Sequence, residues 1–306
     1  MIEVKSLTKT YGAFKAVDDL SFTVEAGQVL GFLGPNGAGK STTMKMLTGF
    51  LTPTSGTALV NGVDVVENSV AARKSIGYLP EGAPSYGEMT VQQFLTFVAR
   101  ARLIAKNDVS ASVDLAITKL NLSGVKHQPI DTLSKGFKRR VGLAQAIIHD
   151  PQILILDEPT DGLDPNQKRE VRRLIRDMAK DKIIIISTHI LEEVEAVCNR
   201  VMIIAHGKLL ADDTPRNLVA RSRYHDAVTL VVNEAEKVAS ILSELPQVAR
   251  AELNDGELTL FPTKDAGLFK AVTAAITENQ WQVSALRLEA GRLDEVFHTI
   301  THGGTS

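Results

Sequence analysis

Nine consecutive residues, Gly34-Pro35-Asn36-Gly37-Ala38-Gly39-Lys40-Ser41-Thr42, have the composition needed to wrap an anion. The glycines let the backbone curl with its N–H groups pointing inward, which makes a concave nest for phosphate oxygens. The apolar run Val29-Leu30-Gly31-Phe32-Leu33 before the loop reads as a buried strand, and Thr43-Met44-Lys45-Met46-Leu47 after it as the first turns of a helix. The positive end of that helix dipole points at the same place. In this context the G-x-x-x-x-G-K-S spacing predicts a site for a nucleoside triphosphate. Lys40 would reach the β- and γ-phosphates, and the Ser41 hydroxyl would ligate Mg²⁺.

A second acidic element fits the same chemistry. Ile153-Leu154-Ile155-Leu156 is too short for a free helix and has the uniform apolar character of a strand buried on both faces; Asp157-Glu158 ends it. Ligands of open α/β sheets bind at the carboxyl ends of the strands. Asp157 there is placed to hold Mg²⁺ opposite Ser41, and Glu158 to accept a proton from water attacking the γ-phosphate. Taken alone, an acidic pair at a strand end is as readily a solvated turn. The phosphate loop upstream decides between the two.

The chain that must position these groups has 306 residues, room for about two domains. With 44% apolar and 23% charged residues it can bury large cores. A formal net charge of −2 gives no electrostatic case for non-specific nucleic-acid binding, so no nucleic-acid partner is expected. Cys198 is the single cysteine, which excludes an intrachain disulfide and suits a reducing compartment. Met1-Ile2-Glu3-Val4-Lys5 reads as strand rather than as a signal peptide, and no apolar run reaches the ~20 residues that span a bilayer. A membrane role is therefore expected to come through a partner.

Taken in order, residues 2–9 and Val17–Glu25 alternate as half-buried strands, and Asn61-Gly62 marks a tight turn after the strand Thr57–Val60. Ile76-Gly77-Tyr78-Leu79 is a short strand stopped by Pro80. Helical spacing takes over from Glu88 to Leu122, and Leu133–Ile148 forms a further helix whose first half is basic, with Lys135, Lys138, Arg139 and Arg140. That cluster reads as a solvated face, or as one near anionic lipid or a partner. Ile183–Ser187 and Val201–Ala205 are further buried strands, with the amphipathic helix Gln167–Lys180 before them. Strands alternating with helices around a phosphate loop predict a mostly parallel α/β sheet over about 1–220, with a helical subdomain inserted at about 88–150. From about 225 to 302 a βαββαβ order follows: Ala227–Val232, Ala235–Leu245, a hairpin around Asn254-Asp255-Gly256, Ala266–Glu278, Trp281–Leu288 and Leu293–Thr301. It predicts a small α+β ferredoxin-like accessory domain with Trp281 and Phe297 in its core.

With these motifs in this order, residues 1 to about 220 resemble the ATP-binding subunits of ABC transporters. The resemblance implies a P-loop NTPase fold of the ABC type. It makes 34–42 the Walker A loop, Ile153–Glu158 the Walker B strand with its catalytic glutamate, and Asp161-Gly162-Leu163-Asp164-Pro165 the D-loop. It makes His189, in Ser187-Thr188-His189, the residue that donates to the γ-phosphate and positions water. Tyr11 stands where the family stacks an aromatic ring on adenine; as a bare sequence feature it is also a plausible core ring. Leu133-Ser134-Lys135-Gly136-Phe137 stands at the signature position, where Ser134 and Gly136 would meet ATP held by a second subunit. ATP, Mg²⁺ and a head-to-tail homodimer sandwiching two ATP molecules follow from the resemblance.

Two positions depart from the family pattern. Lys135 and Phe137 replace the first glycine and the glutamine of Leu-Ser-Gly-Gly-Gln, which predicts altered dimer contacts around an intact Ser134–Gly136 pair. Glu81 stands in place of the usual Q-loop glutamine; it is a candidate Mg²⁺ ligand, or a residue that only shapes its loop. Tyr78-Leu79-Pro80-Glu81 and Leu133-Ser134-Lys135-Gly136 together are similar to the ABC-2 exporter branch, with its gliding-motility-type and antibiotic-resistance ATPases. The resemblance implies an ATPase on the cytoplasmic face of the membrane, docked to transmembrane permease subunits through the helical subdomain, with the C-terminal domain serving dimer contact or regulation. A soluble ABC-type ATPase acting on the ribosome or DNA and a non-hydrolysing nucleotide-binding regulator are the other readings. One cassette without a heptad run argues against the first, and the Asp157-Glu158 pair with His189 against the second.

Overall fold

The computed structural model describes residues 1–263 and 267–302, which fall into two compact units, Met1–Asp213 and one that begins at Thr214. The first unit opens with β1 (Ile2–Tyr11), β2 (Phe14–Val24) and β3 (Val29–Leu33), then α1 (Lys40–Leu47), β4 (Ser55–Val60), β5 (Val63–Asp64), α2 (Ser69–Lys74) and β6 (Ile76–Leu79). It continues through α3 (Val91–Ala101), α4 (Val109–Lys119), α5 (Lys135–Ile147), β7 (Ile153–Asp157), α6 (Pro165–Met178), β8 (Ile183–Thr188), α7 (Leu191–Val197), β9 (Arg200–Ala205) and β10 (Lys208–Asp213).

Two sheets share its core. A six-stranded sheet runs β10-β9-β3-β8-β7-β6, parallel except for the antiparallel edge strand β10. A four-stranded antiparallel sheet runs β2-β1-β4-β5, and its β4–β5 turn is the predicted one: Asn61 and Gly62 both take positive φ, 49° and 79°, as a type I′ hairpin requires. Ile153, Leu154, Ile155, Leu156, Ile184 and Ile185 are fully buried, as expected of strands covered on both faces. Each such side chain contributes roughly 1.5–3 kcal/mol relative to exposure. The antiparallel sheet packs Ile2, Leu7, Val24 and Val60 into one cluster with Leu30, Phe32, Ile155 and Ile185 of the parallel sheet.

Between β6 and β7 lie the three helices α3, α4 and α5, where the helical insertion is expected. Thr90 caps α3 in a reciprocal capping box with Gln93, and Ser134 caps α5 by accepting from the Phe137 N–H at 3.4 Å. The basic cluster at the start of α5 departs from the solvated face read from its charges. Arg139 and Arg140 are buried, at 5% and 7% exposure. The Arg140 guanidinium lies 4.4 Å from the Phe137 ring centroid and donates to the Leu120 carbonyl at 3.3 Å. Aromatic stacking and backbone acceptors take the place of water around a delocalised cation. Lys135 alone keeps the exposed position, paired with Asp161 at 2.9 Å.

The second unit comprises α8 (Pro215–Val219), β11 (Val228–Val232), α9 (Ala235–Leu242), β12 (Val248–Asn254), β13 (Glu257–Pro262), α10 (Leu268–Glu278), β14 (Val283–Leu288) and α11 (Leu293–His302). Its antiparallel sheet runs β12-β13-β11-β14, the order a ferredoxin-like split βαβ fold requires. Val228, Leu230, Leu258, Leu260, Val238 and Val272 form its core, with Trp281 half-buried against them. Phe297 is also half-buried, and Leu293 and Val296 are the buried apolar residues of α11. Ala266, the expected first residue of α10, lies outside the described residues. No helix among the described residues is long and apolar enough to cross a membrane.

Candidate functional site

The order β3-β8-β7-β6 places four strand exits side by side. In register, Asp157 at the end of β7 pairs with Ser187 of β8, and Leu33 at the end of β3 pairs with Thr188. The loop after β3, the residues after β7 and β8, and Glu81 after β6 therefore emerge on one edge, the carboxyl edge at which α/β sheets bind ligands.

The loop takes the form its glycines allow. Gly39 caps α1 with φ 104°, and a Cβ there would lie 2.4 Å from the Ala16 carbonyl oxygen, so only glycine fits. Lys40, the first residue of α1, is buried and donates to the carbonyls of Gly34 at 2.6 Å and Pro35 at 3.1 Å. Burial holds its ammonium below the usual lysine range, against the opposing charges of Glu158, Asp157 and Glu81. A cleft of about 350 Å³ opens over the loop. Tyr11, Asn36, Gly37, Ala38, Gly39, Lys40, Ser41, Thr42, Glu81 and Glu158 of the predicted set line it. Tyr11 is 52% exposed, which excludes the core reading of its ring.

Behind the loop, the Ser41 hydroxyl donates to Asp157 Oδ1 at 3.3 Å, and the Ser187 hydroxyl donates to the same oxygen. Asp157 is 1% exposed, and its Oδ2 is buried without a hydrogen-bond partner. A carboxylate oxygen left bare beside a serine hydroxyl is a fitting donor set for a hard divalent cation. No group of three or more His, Cys, Asp or Glu among the described residues forms a cage of its own.

Glu158 stands in the left-handed region, φ 52°, with its N–H donating to the Ser187 carbonyl at 3.1 Å. This turn brings its carboxylate 2.9 Å from His189 Nδ1. Burial raises the Glu158 pKa, while the hydrogen bond and charge of His189, and then Lys40, work the other way. A carboxyl moved up toward neutrality is a stronger proton acceptor than a free glutamate. Buried Glu193 braces the same region, accepting from the hydroxyls of Thr160 and Thr188.

Ser134 and Gly136 do not line the cleft. They begin α5 beside the segment after Glu158, where a Cβ on Gly136 would sit 2.6 Å from Gln167 Oε1. Sequence reasoning missed four residues here: Phe14, which lines the cleft near Tyr11 and is 62% exposed, Ser187, Glu193 and Arg139. Only Phe14 carried a signal, as a second aromatic three residues from Tyr11 across a Gly12-Ala13 turn. The others are ordinary residues whose partners come from distant segments.

A glycine-rich loop between a parallel strand and a helix, with a carboxylate pair at the exit of the next strand but one in the sheet, defines a P-loop nucleoside-triphosphate-binding protein. The family model described as ABC transporter matches residues 17–161. The chain is 32% identical over 302 residues to YxlF of Bacillus subtilis, an uncharacterized ABC transporter ATP-binding protein, covering 99% of this chain and 100% of that one. It is 41% identical over 223 residues to YbhF of Escherichia coli, a probable multidrug ABC transporter ATP-binding protein; the match takes in 72% of this chain but only 38% of the relative's length. Nod factor export ATP-binding protein I of Rhizobium meliloti is 40% identical over 219 residues, 71% of this chain and 65% of its own. A solved ATP-binding subunit of an ABC transporter superposes with a TM-score of 0.67 at 30% identity, over 71% of this chain and 91% of that one. The chain belongs to the ABC transporter family, among its ATP-binding subunits.

Proposed function

We propose that this chain is the ATP-hydrolysing subunit of a membrane exporter. The observation that carries the reading is the convergence, at one sheet edge, of Lys40, the Ser41–Asp157 pair and the Glu158–His189 pair. ATP enters with its base toward Tyr11 and its phosphates in the loop formed by Gly34, Pro35, Asn36, Gly37, Ala38, Gly39, Lys40, Ser41 and Thr42. Lys40 exchanges its contacts with the Gly34 and Pro35 carbonyls for phosphate oxygens. Ser41 and Asp157, with Glu81 at the cleft wall, would hold Mg²⁺, which supplies charge neutralisation at the phosphates when bound. Glu158 takes the proton of the attacking water, and His189 fixes the position of that carboxylate and of the water.

Ser134 and Gly136 lie away from the cleft of their own chain, at the capped start of α5. That placement supports a head-to-tail homodimer in which they complete the cleft of the partner. ATP binding closes the dimer, and hydrolysis reopens it. The permease subunits dock on the helical subdomain, where exposed Phe97 and Leu103 and the cations Arg100 and Lys106 border two grooves along α3. The chain then works at the cytoplasmic face of the membrane, without nucleic acid, and the ferredoxin-like unit serves dimer contact or regulation. The export direction draws on the relatives named for multidrug transport and Nod factor export.

The test is affinity capture of tagged Glu158→Gln protein with ATP and Mg²⁺ from detergent-solubilised native membranes. Co-purification of multi-spanning subunits is expected. Recovery of ribosomes or DNA-bound proteins without a membrane partner would replace the exporter by a soluble ABC-type ATPase.

A further inference from the structure

We infer that Arg139 is a positioning residue that transmits the placement of α5 to the hydrolytic carboxylate; this rests on the reading of Glu158 as the base. Arg139 lies in the first turns of α5, and its guanidinium crosses to two strand exits of the parallel sheet. Nη2 donates to the carbonyl oxygens of both Asp157 and Glu158, and Nη1 donates to the Pro80 carbonyl at 3.0 Å. One fork thus joins the residues that carry both carboxylates to the residue before Glu81. Among the described residues no carboxylate lies within ion-pair distance of the guanidinium, and its Nε is buried without a partner.

Burying a permanent cation among carbonyls is costly, and an apolar side chain would fill the space more cheaply. What the cation secures is local geometry. Glu158 holds a left-handed backbone, φ 52°, a conformation that a non-glycine residue keeps only when its surroundings enforce it. That turn points the carbonyls of 157 and 158 to a common donor while sending the Glu158 side chain to His189. A fork with fixed donor geometry suits two converging carbonyls, and a lysine ammonium suits them less well. Because Arg139 is carried by α5, a shift of the helix that begins at Ser134 drags the Glu158 turn with it. Arg139 does not itself line the cleft; it reaches the site only through the backbone carbonyls it holds.

The test uses the full chain with Arg139→Met and Arg139→Lys, alone and combined with Glu158→Gln. It measures MgATP affinity with a fluorescent ATP analogue, and kcat by phosphate release under single and multiple turnover. For Arg139→Met we expect kcat lower by about a hundredfold, the scale of a roughly 1 Å misplacement, with ATP affinity within about twofold. In the Glu158→Gln background the same substitution is expected to add almost nothing, since its effect runs through Glu158. Wild-type kcat, loss of affinity in step with kcat, or additive losses in the double variant would overturn the inference. Should Arg139→Met fail to fold, Arg139→Lys decides: a lowered kcat at unchanged affinity supports positioning, and an unchanged kcat refutes it. Wild-type turnover in Glu158→Gln alone would instead remove the base assignment, a result distinct from failure of the Arg139 role.

Discussion

His189 Nδ1 lies 2.9 Å from Glu158 Oε1, joining the exits of β8 and β7 across the mouth of the nucleotide cleft. His189 is the exposed member of the pair, and Glu158 the half-buried one. The histidine is thus placed to orient a carboxylate that burial has already made more basic.

From this pair, Glu158→Gln is expected to bind ATP normally and to lower kcat by about 10²–10⁴-fold, the usual contribution of a general base. The ATP-bound dimer should accumulate, visible as a shift in size-exclusion elution. His189→Ala should lower kcat to a smaller degree, because it removes orientation and leaves the base. Phosphate release measured on both variants checks the order.

Lys40→Ala acts on binding itself. The loss of a charge-assisted contact to phosphate is expected to weaken ATP by about tenfold or more, on the scale of 1.5–3 kcal/mol for such a bond. Titration with a fluorescent ATP analogue measures it. Unchanged affinity would mean that the ammonium stays on the Gly34 and Pro35 carbonyls throughout.

Tyr11 and Phe14 are exposed rings at one rim of the cleft. Tyr11→Ala is expected to weaken ATP by about tenfold, since a base–aromatic stack is worth about 1–3 kcal/mol. Phe14→Ala should have a smaller effect. Competition by inorganic triphosphate, which has no base, should be the same in both variants as in the parent chain. An equal loss for triphosphate would place the rings in loop support instead of base recognition.

Acid stability depends in part on His149. Its Nε2 lies 3.2 Å from the Ile76 carbonyl, its Nδ1 is buried without a partner, and burial with the nearby Arg102 charge pushes its pKa down to about 4. The unfolded chain binds the proton at an ordinary histidine pKa of about 6.5. Between these values the unfolded state holds more protons, so stability is complete above the upper value and falls as pH drops toward the lower one. His149→Gln should flatten that part of the profile, read as a smaller fall in Tm between pH 7 and pH 5. An unchanged fall would put the acid sensitivity elsewhere.

Much of the first unit could be read without coordinates because its signals are local. The phosphate loop needs only glycine spacing between a strand and a helix, and the doubly buried strands announce themselves as unbroken isoleucine and leucine runs. The I′ turn at Asn61-Gly62 and the βαββαβ order of the second unit are equally local, resting on residues that tolerate positive φ and on alternation. The misreadings share a different cause. Arg139 and Arg140 carry charge, so composition places them in water, yet the fold supplies carbonyls and the Phe137 ring to receive them.

What the sequence determined by itself was the chemistry available: an anion nest, a lysine, a serine, two carboxylates and a histidine, in the order that marks an ABC-type subunit. Tertiary structure alone decided their distances. Residues 41 and 157, or 158 and 189, meet only because β3, β8 and β7 pair in parallel with matched ends. That register comes from burying both faces of three strands at once, a long-range packing energy that no local stretch of residues contains.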